Sequence, residues 1–258
     1  MLFRDLIYRV YERQLDHLVR RGPLPRHVGV ILDGNRRYAR KMGFSYVGDG
    51  HRRGADKVED LVDWCDGLGI PVITLWALST DNFRRAPDEL DTIYALIEEK
   101  VEALTEQRDR RTPRRIRVVG RRELLPPSTQ AAIERAEEAT KDAGPFELLI
   151  AIGYGGREEI TDAVRRLIAE RVRAGESLEG IAASIEPDEI GKYLYAPDVA
   201  DPDLIIRTSG ELRLSGFLLW QSAYSEFYFS DVFWPEFRRI DFLRAIRSYE
   251  ERERRRGA

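Results

Sequence analysis

Cysteine is almost absent from this 258-residue chain. Cys65 stands alone, so no internal disulfide can form, and a reducing, cytoplasmic setting fits. Histidine is nearly as scarce: three scattered His and one Cys make no zinc set. No apolar run approaches the ~18 residues of a membrane-spanning helix. The first twenty residues carry Arg4, Asp5, Arg9, Glu12 and Arg13, which argues against an ordinary signal peptide. Charge of one sign is lacking too. With a formal net charge of −3, no global field recruits nucleic acid, and none is expected as a partner. Neither G-x-x-x-x-G-K-[ST] nor a G-x-G-x-x-G after a strand occurs. What remains is 43% apolar and 34% charged residues, enough for a large core beneath a polar surface. The length suits one α/β domain.

Leu2, Phe3, Leu6, Ile7, Val10, Leu15 and Leu18 recur at helical spacing. They predict an amphipathic N-terminal helix within residues 1–22, followed by a main domain over 23–258. The stripe packs on the core or, alternatively, touches a membrane surface peripherally. Gly22-Pro23-Leu24-Pro25 ends it. Strand-like runs follow at Val28–Leu32, Val72–Leu78, Ile116–Val119, Phe146–Ile152 and Leu204–Ile206. Between them lie helix-period segments near 53–67, 88–108, 128–142, 157–174 and 240–254. This alternation predicts an α/β fold: a central, mainly parallel sheet flanked by helices. Ligands of such sheets sit beyond the strands' carboxyl ends, so three segments there matter most.

Asp33-Gly34-Asn35-Arg36-Arg37 follows the first strand. Gly34 permits a turn and close approach, the next NH groups favour an anion, and the arginines suit phosphate. Asp33 is itself an anion, which Mg²⁺ would reconcile with a diphosphate; the alternative is an Asp helix cap. His51 is either polar surface at a helix start or a phosphate donor. Ser79-Thr80-Asp81-Asn82-Phe83-Arg84-Arg85 follows the second long strand, as a mobile lid or as a capping loop. Arg207-Thr208-Ser209-Gly210-Glu211-Leu212-Arg213-Leu214-Ser215-Gly216 is the densest anion-binding signal, and Glu226 downstream is a further metal candidate.

On these strings the chain resembles the cis-prenyltransferases, undecaprenyl diphosphate synthase and its relatives. The matches are HVGVILDGNRRYAR (27–40), LSTDNFRR (78–85), GYGGR (153–157), DLIIRTSGELRLS (203–215) and FLLWQSAYSEFYF (217–229), in family order. The Asn-Arg-Arg form and the string from Arg213 to Gln221 look most like actinobacterial short-chain Z-farnesyl diphosphate synthases.

The resemblance implies a product tunnel, Mg²⁺ as cofactor, and isopentenyl diphosphate plus an allylic diphosphate (geranyl or farnesyl) as substrates. It implies Asp33 as catalytic residue and Mg²⁺ ligand, with Glu226 as a second ligand. Gly34, Asn35, Arg36, Arg37, Tyr38 and His51 would surround the allylic diphosphate. Ser79, Thr80, Asp81, Phe83 and Arg85 would line the site. Asn82 holds the position of a proton acceptor, although an amide is a poor base and positioning suits it better. Arg207, Arg213, Leu214 and Ser215 would take isopentenyl diphosphate. Arg255 and Gly257 match a tail reaching a neighbouring subunit, which implies a homodimer. One departure is clear: residues 44–50 carry no basic residue where long-chain relatives have an arginine before His51. For the tunnel wall the helix stripe Leu90, Ile93, Tyr94, Ile97, Val101 and Leu104 is a candidate, although any amphipathic helix shows such a stripe. Phe146 at the floor suggests a short product, while Ala77 is small where short-chain relatives can carry Leu. The expected reaction forms a Z-prenyl diphosphate, short-chain (2Z,6E)-farnesyl diphosphate; the alternatives are a long-chain polyprenyl synthase and a non-catalytic partner subunit. Retention of Asp33, Arg207 and Arg213 argues against the last.

Overall fold

Val28, Val30 and their neighbours leave no polar face, so His27–Ile31 (β1) is buried at all five positions, as a strand covered on both sides must be. In the computed structural model, which describes residues 2–106 and 113–256, β1 sits inside a six-stranded sheet. The order is β3-β4-β2-β1-β5-β6, with β2 at Val72–Ser79, β3 at Arg114–Val119, β4 at Phe146–Tyr154, β5 at Leu204–Arg207 and β6 at Glu226–Phe229. Every pairing is parallel. All carboxyl ends therefore open on one edge.

The helices are α1 (Leu2–Val19), α2 (Asn35–Lys41), α3 (Gly48–Leu68), α4 (Pro87–Thr105), α5 (Pro127–Thr140), α6 (Gly156–Arg173), α7 (Leu178–Ser184), α8 (Pro187–Gly191) and α9 (Arg239–Arg256). Val30, Ile73, Leu75, Ile150 and Ile152 join the main core with residues of α3, α4, α5 and α9. The other face, through Ile31, Trp76, Leu149, Ala151 and Ile205, packs on Phe217, Leu218 and Tyr195. Phe217 lies over Gly29, where a Cβ would come within 3.0 Å of its ring, and stacks on Trp76 at 5.4 Å. That stack pins the segment after β5 beneath the sheet.

The parallel α/β expectation holds, with differences of detail. The helix expected from 53 begins at Gly48. Gly50 and Gly54 lower helix propensity but let α3 approach α2 closely: a Cβ at Gly50 would lie 2.3 Å from Asn35 O. The helix start expected after Asp33 is α2, whereas the strand β6 and the short helices α7 and α8 are additions; four to seven residues are too few for a periodicity to show. Residues 107 and 108 of the expected helix 88–108 lie outside the described residues.

The N-terminal stripe divides. Of the expected stripe, Leu15 is buried, together with the neighbouring Val19, where α1 packs on α9; the side chains of Leu2, Phe3, Leu6 and Ile7 lie outside the described residues. Arg239 of α9 pairs with Glu12 at 3.0 Å and Asp16 at 2.5 Å. Val10 and Leu18 stay exposed. No helix among the described residues is long and apolar enough to cross a membrane.

Candidate active site

Asp33 leaves β1 in a turn fixed by Thr208. Its backbone NH donates to Thr208 Oγ1 at 3.0 Å, and the Thr208 hydroxyl donates to Asp33 O at 2.7 Å. Gly34, with φ of +109°, is the N-cap of α2, which has no side-chain cap. A Cβ there would also press on Phe233 at 2.9 Å, so glycine is required twice over. The Asp33 carboxylate is thus not the helix cap; it receives Arg207 Nη2 at 2.7 Å and lies 3.3 Å from Arg37 Nη2. Burial pushes its pKa up, but the Arg207 hydrogen bond and the charges of Arg207 and Arg37 outweigh this and hold it below the ordinary carboxylate value.

Arg207 is buried at the end of β5 and links the two anion-binding segments. Its Nη1 donates to Ser215 Oγ at 2.7 Å and to the Arg213 carbonyl. Its Nε is buried without a hydrogen-bond partner. Ser209 (φ +78°) and Ser215 (φ +53°) hold left-handed backbone, a strained arrangement that only the surrounding contacts can enforce. Arg37 donates to Ser209 Oγ and Glu211 Oε1, at 2.5 and 2.9 Å, and Arg213 pairs with Glu211. Leu214 packs against the second core.

A second cluster stands across the cleft. Glu89, buried in the first turn of α4, accepts from Arg85 Nη1 at 3.0 Å and lies 2.9 Å from His51 Nε2; Arg36 Nε is 3.6 Å away. Burial, aided by Arg85 and Arg36, depresses the His51 pKa despite Glu89. His51 is therefore neutral at pH 7 and donates Nε2–H to the carboxylate, a tautomer assigned from this contact. Burial raises the Glu89 pKa, and the hydrogen bond from His51 with the charges of Arg85 and Arg36 brings it below the usual value.

Leu32, Asp33, Gly34, Asn35, Arg36, Arg37, Arg40, His51 and Arg85 enclose a polar cleft of about 650 Å³, counted out to its mouth. Leu32, Asn35 and His51 also border an apolar cavity between α3, α4 and the sheet, about 690 Å³ when likewise counted out to its mouth. Gly54, Val58, Leu75, Ala77, Ile93, Leu96, Ile97, Lys100, Val101, Leu104, Ile150 and Ile152 are among its walls. The buried Asn35 Oδ1 at the shared rim has no hydrogen-bond partner.

The remaining expected residues divide. Of the segment after β2, Arg85 lines the polar cleft, and Ser79 to Phe83 line neither space. Ser79 and Asn82 form a reciprocal capping box that folds this segment into a 3-10 turn. Asp81 is exposed, and Phe83 packs on the main core. Thr80 Oγ1 lies 2.8 Å from where a Cβ on Gly155 would be. Tyr38 packs edge-on against Phe44, outside the cleft lining. Glu226 is not brought to Asp33. It pairs across the sheet with Leu204 at the start of β5, whereas Ile31 pairs with Arg207 at its end. Its carboxylate receives Arg252 at 2.6 Å. Within one chain the two carboxylates cannot share an ion, because they sit toward opposite edges of a parallel sheet.

Arg40 and Glu89 were not foreseen. Arg40 lay inside the HVGVILDGNRRYAR string, one helical turn beyond Arg36. Glu89 stands in Pro87-Asp88-Glu89-Leu90, an acidic helix start that carries no site signal of its own.

Mg²⁺ favours one or two carboxylates completed by substrate phosphate oxygens. The single ionised carboxylate of Asp33, in an arginine-lined cleft, fits that pattern. Among the described residues no group of three His, Cys, Asp or Glu side chains forms an all-protein cage.

Comparison with known proteins places these features in a family. The family model described as "Putative undecaprenyl diphosphate synthase" matches residues 31–257. An isoprenyl transferase of Thermus thermophilus is 52% identical over 252 residues, covering 97% of this chain and 95% of that protein. A (2Z,6E)-farnesyl diphosphate synthase of Thermobifida fusca is 52% identical over 256 residues, 99% of each chain. Among solved structures, lavandulyl diphosphate synthase from Lavandula x intermedia, in complex with dimethylallyl diphosphate, superposes with a TM-score of 0.82 at 33% identity, covering 88% of this chain and 95% of that one.

Proposed function

The chain belongs to the undecaprenyl diphosphate synthase family of prenyl transferases, and from that premise we propose that it condenses isopentenyl diphosphate with geranyl or farnesyl diphosphate to a short Z-prenyl diphosphate, (2Z,6E)-farnesyl diphosphate when geranyl is the primer. One observation carries this reading: the polar cleft around Asp33 adjoins an apolar cavity, the two sharing Leu32, Asn35 and His51 as walls. A charged head and a growing hydrocarbon tail need that combination.

In this reading Arg36, Arg37, Arg40 and Arg85 bind the allylic diphosphate and offset the charge that develops as it leaves. Asp33 holds Mg²⁺; when bound, the ion neutralises charge on the departing diphosphate. Arg207, Arg213 and Ser215 orient isopentenyl diphosphate, a role supported by the unpartnered Arg207 Nε. Asn82 maintains the turn after β2 rather than removing a proton, because its Oδ1 accepts Ser79 NH at 3.3 Å. The enzyme works as a cytoplasmic homodimer. Support comes from the edge strand β6 and the highly exposed Tyr224 beside it. Gly257 and the Arg255 side chain, expected to reach the partner, lie outside the described residues.

Incubation with geranyl diphosphate, labelled isopentenyl diphosphate and Mg²⁺ should give a C15 product on chromatography. Asp33→Ala should lower turnover by at least about a hundredfold with an unchanged circular dichroism spectrum. No incorporation by the wild type, or wild-type turnover by the variant, sinks the proposal. Ala77, small in the cavity wall, favours a second reading, a longer polyprenyl product; accumulation of C50 or longer chains would select it.

A further inference from the structure

The walls of the apolar cavity contain one residue that its chemistry does not explain. Lys100 lies on α4 between Ile97 and Val101, about three turns beyond Glu89, at a position of the buried stripe where an apolar residue is expected. Its stem lines the cavity and its side chain is 17% exposed. Its ammonium meets Asp56 of α3 at 2.9 Å, with Glu99 and Glu59 at 3.7 and 3.8 Å. The Asp56 side chain is 54% exposed. The lysine thus runs from the cavity to the solvent edge of the α3–α4 seam, its methylenes inside and its charge outside. Arg52 and Glu99 pair across the same seam at 3.1 Å. Burial disfavours the lysine's charge, yet the three carboxylates reverse this and raise its pKa, so the pairing persists at neutral pH.

Phe146, by contrast, does not line this cavity. It shares a face of β4 with Leu148, Ile150 and Ile152, nearer the strand's start, and packs into the core beneath. The wall that a lengthening chain meets first at depth is therefore not the one expected from sequence.

We propose that Lys100, tied to Asp56, closes the seam between α3 and α4 and so sets the length of the prenyl chain. This rests on the proposed prenyl-transfer reaction. A chain growing from the rim at Asn35 and His51 extends along Ile93 and Ile97 until it reaches the lysine stem. Further growth requires parting the two helices and breaking the ion pair. Loss of the cation at position 100 removes that stop without touching the charged cleft.

Lys100→Leu keeps the stripe apolar and packed, whereas Lys100→Arg keeps the ion pair. Product chromatography with geranyl diphosphate, labelled isopentenyl diphosphate and Mg²⁺ is run on both beside the wild type. The expected result is a product longer by one or more isoprene units in Lys100→Leu, a wild-type distribution in Lys100→Arg, and first-addition rates within threefold throughout. An unchanged distribution in Lys100→Leu overturns the proposal. So does a folded Lys100→Leu protein that cannot make the first addition, because that step precedes contact with the lysine. Failure of the wild type itself to incorporate label would instead overturn the prenyl-transfer reading.

Discussion

Arg207 joins the two anion-binding segments through one guanidinium, with Asp33 on one nitrogen and Ser215 and the Arg213 carbonyl on the other. A lysine cannot reproduce that fork. Arg207→Lys should raise the KM for isopentenyl diphosphate roughly tenfold, the equivalent of one charged hydrogen bond. Arg207→Ala should also move the acid limb of the kcat/KM profile to higher pH. With its main partner gone, burial acts on the Asp33 carboxyl with only the Arg37 charge and the Ser209 hydrogen bond to oppose it, and the proton is lost at a higher pH. Initial rates across pH check both, and an acid limb that stays in place would show that Arg207 does not govern Asp33. At this scale the sequence was generous about Asp33 and Arg207, because few chemistries place an acid among arginines after a strand. It was less informative about His51. A lone histidine near glycines looks like polar surface, and its burial depends on Glu89, thirty-eight positions away. Lys100 was illegible for a similar reason: a charge at one point of an apolar stripe acquires meaning only once Asp56 is known to face it.

Among the elements, α1 leans chiefly on one neighbour, α9. Leu15 and Val19 bury against α9, and the Arg239 fork ties Glu12 and Asp16 to the same helix. Leu15→Ala should cost about 2–5 kcal/mol, read as a lower midpoint in urea, while the folded fraction keeps its turnover because α1 is remote from the cleft. A loss of specific activity in fully folded protein would show that α1 helps shape the site. The strands β1, β2 and β4 were legible as apolar runs, since burial on both faces leaves no alternation to misread. The edge strand β6 was not: all four of its residues are half-buried, and Glu226-Phe227-Tyr228-Phe229 shows neither a continuous apolar run nor a clean period of two. Missing β6 also hid the position of Glu226, which looks close to the arginine loop in sequence yet begins a strand whose far end meets Arg207.

Across the whole molecule, two buried histidines make stability respond to pH. Burial depresses the pKa of His27, against the opposing pull of the Ala200 carbonyl, as it does for His51. The unfolded chain takes up these protons near the ordinary value of about 6.5, and the folded chain only at lower pH. Between those limits the unfolded state binds more protons, so stability falls as pH drops and levels off below the folded values. The paired carboxylates of Asp33, Glu89 and Asp162 have depressed pKa values; their contribution is present above the ordinary carboxylate range and is lost at still lower pH. Thermal melts should therefore show a first decline beginning near pH 6.5, at roughly 2–4 °C per kcal/mol lost. His27→Asn should flatten that first decline even if its starting stability is lower, because the slope depends on the titrating group. An equal slope in that variant would remove His27 from the account.

The rim shared by the polar cleft and the apolar cavity consists of Leu32, Asn35 and His51. Beyond it the two spaces draw on different parts of the chain: turns at the strand ends and α2 on one side, the facing flanks of α3 and α4 with the sheet on the other. Heritable changes can therefore accumulate along the helices and alter how long a molecule is made, while the apparatus that makes each bond is inherited intact. A lineage built on this plan can diversify its products one helix face at a time.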